Sequence, residues 1–528
     1  MVKKPVVLAI LDGFGISFEQ RGNAVYHAQT PNLKFISENY PGTTLRASGV
    51  EVGLSWGEMG SSEVGHTNIG AGIVVYQNLE RFNIAIRDKS FYDLSAWRDA
   101  VEHVTSHESN IHIMGLLSNG GVHSHIDHLF AILESIKNLD FGGNVFVHIF
   151  TDGQDVAPQS ALKFIGALEA EMKRLKLGKI ASVVGRYYAM DRNENWDRIK
   201  KAYDCLVYGV GEKALTASDA IVNSYDKDIK DEIIEPTVIT NSHGSPLGLI
   251  KNNDALIFFN FRADRARQIT KVFTSTDFNK FNRFEFNNLL FIPLAQYGIG
   301  YPMESAFPPE NISYPLAKVI SDSGLKQLHI AEKEKYAHVT YFFNGGFEKE
   351  FAGEDRIIIP SKTVSSYDLA PKMSAYEILD RVLTDISALK YDFIVVNFAN
   401  CDIVGHTGNF AAGIKSVEVV DDCIGKLKDA VLGAGGTLVI TADHGNVEEM
   451  INLETGEVDK EHSTNPVPLW IVSPTNSKHI NSKRMQIAPQ GILADVAPTI
   501  LEIMGIPKPK NMSGTSLLDI VTECPLTK

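Results

Sequence analysis

Three aspartates and three histidines stand where apolar runs of this chain give way to polar turns. Asp12 follows "VVLAIL", Asp402 follows "FIVVNFAN" with His406 four residues on, Asp443 and His444 follow "TLVIT", and His462 lies shortly before "VPLWIV". Oxygen and imidazole donors without thiolate suit manganese, zinc or iron(II), and magnesium where oxygens dominate. Taken singly, each aspartate reads as well as the N-cap of a following helix. Taken together, with Asp-His inside "TADHGN" and "DIVGHTG" about forty residues upstream, the six are enough for two metal ions. Two ions a few ångströms apart neutralise a phosphoryl group and its attacking oxygen together.

A second group is "GEMGSSEVGHTNIGAG", residues 57–72, where Ser61 and Ser62 sit among glycines just before an expected helix start. A serine there faces unpaired backbone amides that favour a phosphate dianion, and a metal on its oxygen lowers its pKa. Composition does not separate Ser61 from Ser62, and either reads as an ordinary helix cap. His66 fits a structural hydrogen-bonding role as well as a catalytic one. A third group lies in the middle of the chain: His123, Ser124 and His125 in "GGVHSHIDH", Asp152 and Asp155 in "TDGQDVAP", Arg186 and Arg192 in "VGRYYAMDR", and Arg262 and Arg265 in "NFRADRAR". Arginine forks match carboxylate or phosphate, so several after successive strands imply a small, multiply anionic ligand. Surface pairing with acidic neighbours is the competing reading, and the stronger one for Arg267. Lys335, in "AEKEKYAHVTYFFNGG", either joins the arginines or belongs to a solvated face of alternating charge.

The elements that position these groups are short apolar runs alternating with helical patterns, the mark of α/β units around mostly parallel sheets. In an open parallel sheet the ligand site lies beyond the carboxyl ends of the strands, so Asp12, Asp402, Asp443 and His462 are expected to converge on one edge. If they do, the start and end of the chain form one domain and the middle is inserted. The middle has strand-like runs of its own, at "NIHIMGLLS", "NVFVHIFTD", "KIASVVG", "ALIFFNF" and "LLFIPLAQYG". The Pro-rich "FPPENISYP" at 307–315 makes an exit linker, with entry around Val75 to Glu80. The expected domains are 1–76 with 311–528, carrying the metal-type residues, and 77–310, carrying the arginines. A hinge between two such domains closes a cleft and excludes water, which separates a transferase from a phosphatase.

A net charge of −14, from 50 basic and 64 acidic residues, leaves no global field for nucleic acid or an anionic membrane surface. Apolar runs fall far short of the ~18 residues of a spanning helix. Lys3 and Lys4 before six apolar residues ending at Asp12 make a poor signal peptide. Four cysteines without a CxxC pattern suggest neither a disulfide framework nor a thiolate zinc site. A cytoplasmic protein is expected, and a monomer, since no association stripe is visible.

"MGSSEVGHTNIGAG", "GGVHSHIDH", "NFRADRAR", "EKYAHVTYFFNGG", "VNFANCDIVGHTG", "TADHGN" and "HSTNPVP" together resemble the cofactor-independent (2,3-bisphosphoglycerate-independent) phosphoglycerate mutase family of the alkaline phosphatase superfamily. The similarity runs from "LDGFG" at 11–15 to "SGTSLL" at 513–518. It implies an alkaline-phosphatase-like α/β domain with a mostly parallel sheet, interrupted by a second α/β transferase domain. It implies interconversion of 3-phosphoglycerate and 2-phosphoglycerate through a phosphoserine, with two divalent ions, manganese before magnesium or another metal, and no 2,3-bisphosphoglycerate. Carried over, Ser62 is the nucleophile. Asp402, His406 and His462 hold one metal, and Asp12, Ser62, Asp443 and His444 the other. His123, Gln154, Asp155, Arg186, Arg192, Arg262, Arg265 and Lys335 hold the substrate, with Asp155 as base and Lys335 also catalytic. Two positions depart from the family pattern: Ser61 replaces an asparagine, and Gln154 replaces the arginine of "DGRD", losing a charge and a bidentate fork. The alternatives are a metal-dependent phosphohydrolase or another phosphomutase on the same core, and, from a different class, a catalytically silent binding protein.

Overall fold

The computed structural model describes residues 5–298, 303–310, 312–475 and 488–522. The chain forms two compact units, Met1–Gln77 with Asn311–Lys528, and Asn78–Glu310. No described helix is long and apolar enough to cross a membrane.

Among the described residues the first unit has an eight-stranded sheet, in the order Glu354–Ile359, Gln327–Glu332, Phe393–Phe398, Val6–Leu11, Thr437–Thr441, Val467–Val472, Gly42–Arg46, Gly491–Ile492. The first five strands are parallel, and Val467–Val472 runs antiparallel to both of its neighbours. Val6–Leu11, Phe393–Phe398 and Val467–Val472 are buried at every residue, which is why they read as apolar runs, broken only by Asn397. Pairing continues past the strand ends: the Asp12 amide donates to the Phe398 carbonyl at 3.1 Å and the Asp402 amide to the Asp12 carbonyl at 2.9 Å. Asp12, Asp402 and Asp443 thereby leave one sheet edge together. His462, which precedes its strand, reaches the same edge. Its strand is antiparallel, so the beginning of the strand lies at the edge where the others finish.

Two glycines allow the chain to close on this edge. Gly13 has φ +77°, and a Cβ there would lie 2.7 Å from the Asp402 Cα. Gly65 lies in the Ser62–Ala71 helix, where a Cβ would come within 2.6 Å of the Asp443 carbonyl oxygen. The helix that begins at Ser62 can therefore press its backbone against the Asp443 turn.

The second unit has a seven-stranded sheet among the described residues, in the order Glu212–Ala214, Thr237–Ile239, Lys179–Gly185, Val145–Thr151, Ile111–Leu116, Ala255–Phe258, Leu290–Pro293. It is parallel except where Thr237–Ile239 meets Lys179–Gly185. Alternation along the strands divides the unit into two cores. Ile111, Ile113, Val147 and Ile257 face one helical layer, and Met114, Phe150, Leu256 and Phe258 face the other. His123, Asp152, Arg186 and Arg262 all follow carboxyl ends of its central strands. The two three-residue strands carry no apolar run and are invisible in the sequence.

Candidate active site

At the strand edge of the first unit, Ser62 is the first residue of its helix. The Ser61 hydroxyl caps that helix, accepting the Val64 amide at 3.4 Å. The Ser62 Oγ stands 2.9 Å from His444 Nε2 and 3.3 Å from Asp12 Oδ1, and it accepts a hydrogen bond from Lys335 Nζ at 2.6 Å. Lys335 also reaches Asp12 Oδ1 and Asp402 Oδ2, each at 2.7 Å. It is buried, so its alternating-charge segment is not the solvated face that its composition suggests.

Asp402, His406 and His462 form one convergent triad of ligand atoms, and Asp12, Asp443 and His444 a second. In the first, Asp402 Oδ1 lies 3.2 Å from His406 Nε2 and 3.1 Å from His462 Nε2, and the two imidazole nitrogens are 3.1 Å apart. The Nδ1 atoms of these rings meet the Lys460 and Gly60 carbonyls at 2.6 and 2.7 Å. A carbonyl accepts only, so each Nδ1 carries the proton and each Nε2 lone pair points inward, as in a metal-ligating histidine. His444 repeats the pattern, with Nδ1 3.2 Å from the Gly445 carbonyl. In the second triad the Oδ2 atom of Asp443 is buried, with the His66 Nδ1 3.1 Å away.

The charges point the same way. Three buried carboxylates, Asp12, Asp402 and Asp443, face one buried ammonium, Lys335, leaving an excess of two buried negative charges. Burial without compensation costs several kcal/mol per charge, so the site calls for added cations. The Asp12 pKa is raised by burial and by Asp443 beside it. Burial, the largest influence on both, opposes ionisation of Asp402 and Asp443 as well, but Lys335, His406, His462 and His444 around the one, and His444, His66 and Lys335 around the other, together outweigh it and hold both below the usual carboxylate range. Burial would also neutralise Lys335, yet Asp12, Asp402 and Asp443 hold its pKa above the ordinary lysine value. The donor set and the inward lone pairs fit two divalent ions of the manganese, cobalt or zinc type.

Protons compete for the same lone pairs. A hydrogen bond to Asp402 raises the His406 pKa, and Asp402 outweighs burial to raise that of His462. Metal binding must displace these protons, so apparent affinity falls as pH drops below the raised histidine values. The slope approaches about tenfold per pH unit for each proton displaced. Titration of metal-stripped protein with manganese at about pH 8 and about pH 6 is expected to show much weaker binding at the lower pH. Equal affinities would remove His406 and His462 from the ligand set.

In the second unit Arg186 is buried, and its NH1 donates to Asp152 Oδ1 at 2.5 Å and Asp155 Oδ2 at 2.7 Å. Asp152 also accepts the amides of Gln154 and Asp155. Asp264, which the sequence reading did not single out, gathers two more cations, Arg192 NH1 at 3.0 Å and Arg262 Nε at 3.4 Å, and lies 3.6 Å from the His123 Nδ1. Arg265 donates to the Met190 carbonyl at 3.2 Å. Burial and the nearby Arg186 push the His123 pKa down to about 4, so the ring is neutral at physiological pH. His123 Nδ1 and Arg186 Nε are buried without hydrogen-bond partners, positions a polar ligand would fill. Gln154 is not free: its Nε2 donates to Glu232 Oε1 at 2.5 Å.

The structure thus brings Asp12, Ser62, Lys335, Asp402, His406, Asp443, His444 and His462 together in one unit, and His123, Gln154, Asp155, Arg186, Arg192, Arg262 and Arg265 in the other. Lys335 stands with the serine rather than with the arginines. Beyond these, Glu448 is buried and ties the site loops, accepting the Gly15 and Asn446 amides at 2.9 Å and bonding Ser463. Asn397 donates to Asp12 Oδ2 at 2.7 Å. A polar residue inside the apolar run "FIVVNF" was the available signal for Asn397.

The family model described as the BPG-independent PGAM N-terminus matches residues 82–298. A protein of Clostridioides difficile (strain 630) named 2,3-bisphosphoglycerate-independent phosphoglycerate mutase is 48% identical over 519 residues, covering 98% of this chain and 100% of that protein. One of the same name from Clostridium tetani (strain Massachusetts / E88) is 49% identical over 521 residues, with 98% and 100% covered. Among solved structures, Leishmania mexicana phosphoglycerate mutase, crystallised at low cobalt concentration, is similar with TM-score 0.60 and 30% identity over 97% of each chain.

Proposed function

This chain belongs to the 2,3-bisphosphoglycerate-independent phosphoglycerate mutase family, an isomerase family, and from that membership we propose that it interconverts 3-phosphoglycerate and 2-phosphoglycerate by metal-dependent phosphoryl transfer through Ser62. The observation that carries the reading is the Ser62 hydroxyl, held at a helix N-terminus by a buried lysine between two triads of metal-type ligands. Asp402, His406 and His462 would hold one ion, and Asp12, Asp443, His444 and the Ser62 oxygen the other. Bound there, divalent ions supply Lewis-acid charge neutralisation to the phosphoryl group and lower the serine pKa.

The chain's own residues do the rest. Lys335 orients the Ser62 Oγ and neutralises charge that develops on it. With the Val64 amide taken by the Ser61 cap, the Ser62 and Glu63 amides at the start of the Ser62–Ala71 helix are the ones available to an incoming phosphoryl group. In the second unit Arg186, Arg192, Arg262, Arg265 and His123 hold the glycerate, with Gln154 at its margin. Ser62 enters with its hydroxyl proton already lost and Asp155, whose Oδ2 takes an Arg186 N–H at 2.7 Å, enters as the acid; as Ser62 Oγ bonds to phosphorus and the phosphorus–glycerate bond breaks, Asp155 gives its proton to the departing glycerate oxygen. After the glycerate turns, Asp155 removes the proton from the other hydroxyl, which takes the phosphoryl back from Ser62. The proton and phosphoryl balances both close, and no water is consumed.

The test is conversion of 3-phosphoglycerate without added 2,3-bisphosphoglycerate, on protein stripped by chelator and resupplied with manganese, with free phosphate followed in the same tube. Conversion restored by metal, without phosphate release, is expected. Phosphate release without 2-phosphoglycerate would make the protein a phosphohydrolase instead.

Gln154 gives a further expectation. It offers Glu232 a neutral amide where an arginine would cancel the charge, so the substrate site is one cation short. Gln154→Arg is expected to lower KM for 3-phosphoglycerate several-fold, roughly what one added charge-assisted hydrogen bond provides in a part-exposed site. An unchanged KM would show that position 154 does not meet the substrate.

A further inference from the structure

His66 lies one turn into the helix that begins at Ser62, fully buried, and takes no part in the mechanism above. Its hydrogen bonds can be assigned completely. Asn397 faces Asp12 Oδ2 at 2.7 Å, and a carboxylate requires a donor, so the Asn397 amide turns its NH2 to that side. The same NH2 meets His66 Nε2 at 3.0 Å, which makes Nε2 the acceptor. The ring is then protonated on Nδ1. That N–H lies 2.9 Å from the carbonyl of Ser62 and 3.1 Å from Asp443 Oδ2, the carboxylate oxygen without another partner.

The pair therefore joins three things the reaction needs in register. Asn397 occupies Oδ2 of Asp12 and so leaves Oδ1 to face Lys335 at 2.7 Å and Ser62 at 3.3 Å. His66 fixes the backbone of Ser62 beside Asp443. Both carboxylates of the Asp12, Asp443 and His444 triad are thus tied through one imidazole and one amide to the helix that carries the serine. The Asp402, His406 and His462 triad receives nothing from this pair; its rings are oriented by the Lys460 and Gly60 carbonyls.

We propose that His66 and Asn397 are a positioning pair that sets the metal affinity of the Asp12, Asp443 and His444 site and its alignment with Ser62, leaving the other site alone. The inference rests on the metal-site reading above. Its test is titration with manganese alone, read by the electron paramagnetic resonance of free ion, so that binding is measured without turnover. Asp443→Asn and Asp402→Asn serve as references that identify each site.

Wild type should bind two ions, and each reference variant should lose one. If either fails, the metal-site reading falls and this inference with it. If both hold, His66→Leu is expected to weaken the Asp443 site by roughly 10–100-fold and the Asp402 site by less than about threefold, the usual scale for orienting partners of metal ligands. kcat should fall while KM for 3-phosphoglycerate moves less than about threefold. His66→Asn keeps a donor near the Nδ1 position and should recover most of the Asp443-site affinity. Equal weakening of both sites, no weakening, or no recovery by asparagine at equal thermal stability would overturn the assignment. Should His66→Leu fail to fold, Asn397→Val, which removes the donor to Asp12 and suits a buried strand, must give the same one-site loss.

Discussion

Replacing Ser62 with alanine is expected to abolish phosphoenzyme formation and lower turnover by roughly four to six orders of magnitude, as the loss of a covalent nucleophile does elsewhere. The fold should survive, because the change deletes a single oxygen. Lys335 retains Asp12 and Asp402 as partners at 2.7 Å. Each metal triad retains three ligands without Ser62, so both ions should still bind. Intact mass after a quench with 3-phosphoglycerate reads the result directly: wild type gains a phosphoryl group and the variant does not. Ser61→Ala is the control that composition alone could not supply. Ser61 is the N-cap, accepting the Val64 amide at 3.4 Å, so its loss should cost about 1 kcal/mol of stability and little activity. If Ser61→Ala were the inactive variant and Ser62→Ala kept wild-type turnover, the nucleophile would be the wrong residue.

What the sequence made visible follows from burial. Strands covered on both faces must be largely apolar, so the four runs around Asp12, Asp402, Asp443 and His462 declared themselves, and with them the α/β class. The aspartates were legible because each breaks such a run at its carboxyl end. His462 was legible as a ligand type but not in its geometry. It precedes its strand instead of following it, and only the antiparallel pairing of Val467–Val472 explains how it reaches the same edge.

Lys335 was hidden by its neighbours. Alternating Glu and Lys signals a solvated helix face, whereas here the segment is a tight turn at the end of Gln327–Glu332 that drives one lysine inward; the residues alone left it open between the arginines and a solvated face, and the family resemblance gave it a catalytic role. Asp264 was hidden because nothing in its spacing tells a hub of arginines from one partner in a surface pair. Asn397 was visible as a polar interruption in a buried strand, but its partner, Asp12, lies 385 residues away along the chain. Residues that act by orienting others leave no motif, since their partners come from other strands.

Lys335→Met should separate catalysis from metal binding in opposite directions. Methionine keeps the apolar stem and volume but removes the ammonium 2.6 Å from Ser62 Oγ. Loss of a buried, preorganised donor at a developing charge is expected to lower kcat by roughly 10²–10³-fold. The same change leaves three buried carboxylates with no internal cation, which strengthens their attraction for divalent metal. Manganese affinity should therefore rise, or at least hold, as kcat falls; a collapse of both would mean that Lys335 only supports the fold. Arginine should not rescue, because the planar fork is too large for a buried position already in contact with two carboxylates and a hydroxyl. The pH dependence carries a sign as well. Asp12, Asp402 and Asp443 overcome burial and raise the lysine pKa, so its cationic form, and the stability it contributes, is fully present below the unfolded value and lost only as pH rises through the higher folded one. Any fall in wild-type kcat on the alkaline side below about pH 10 must then come from another group, and the Lys335→Met profile should keep the same shape over that range.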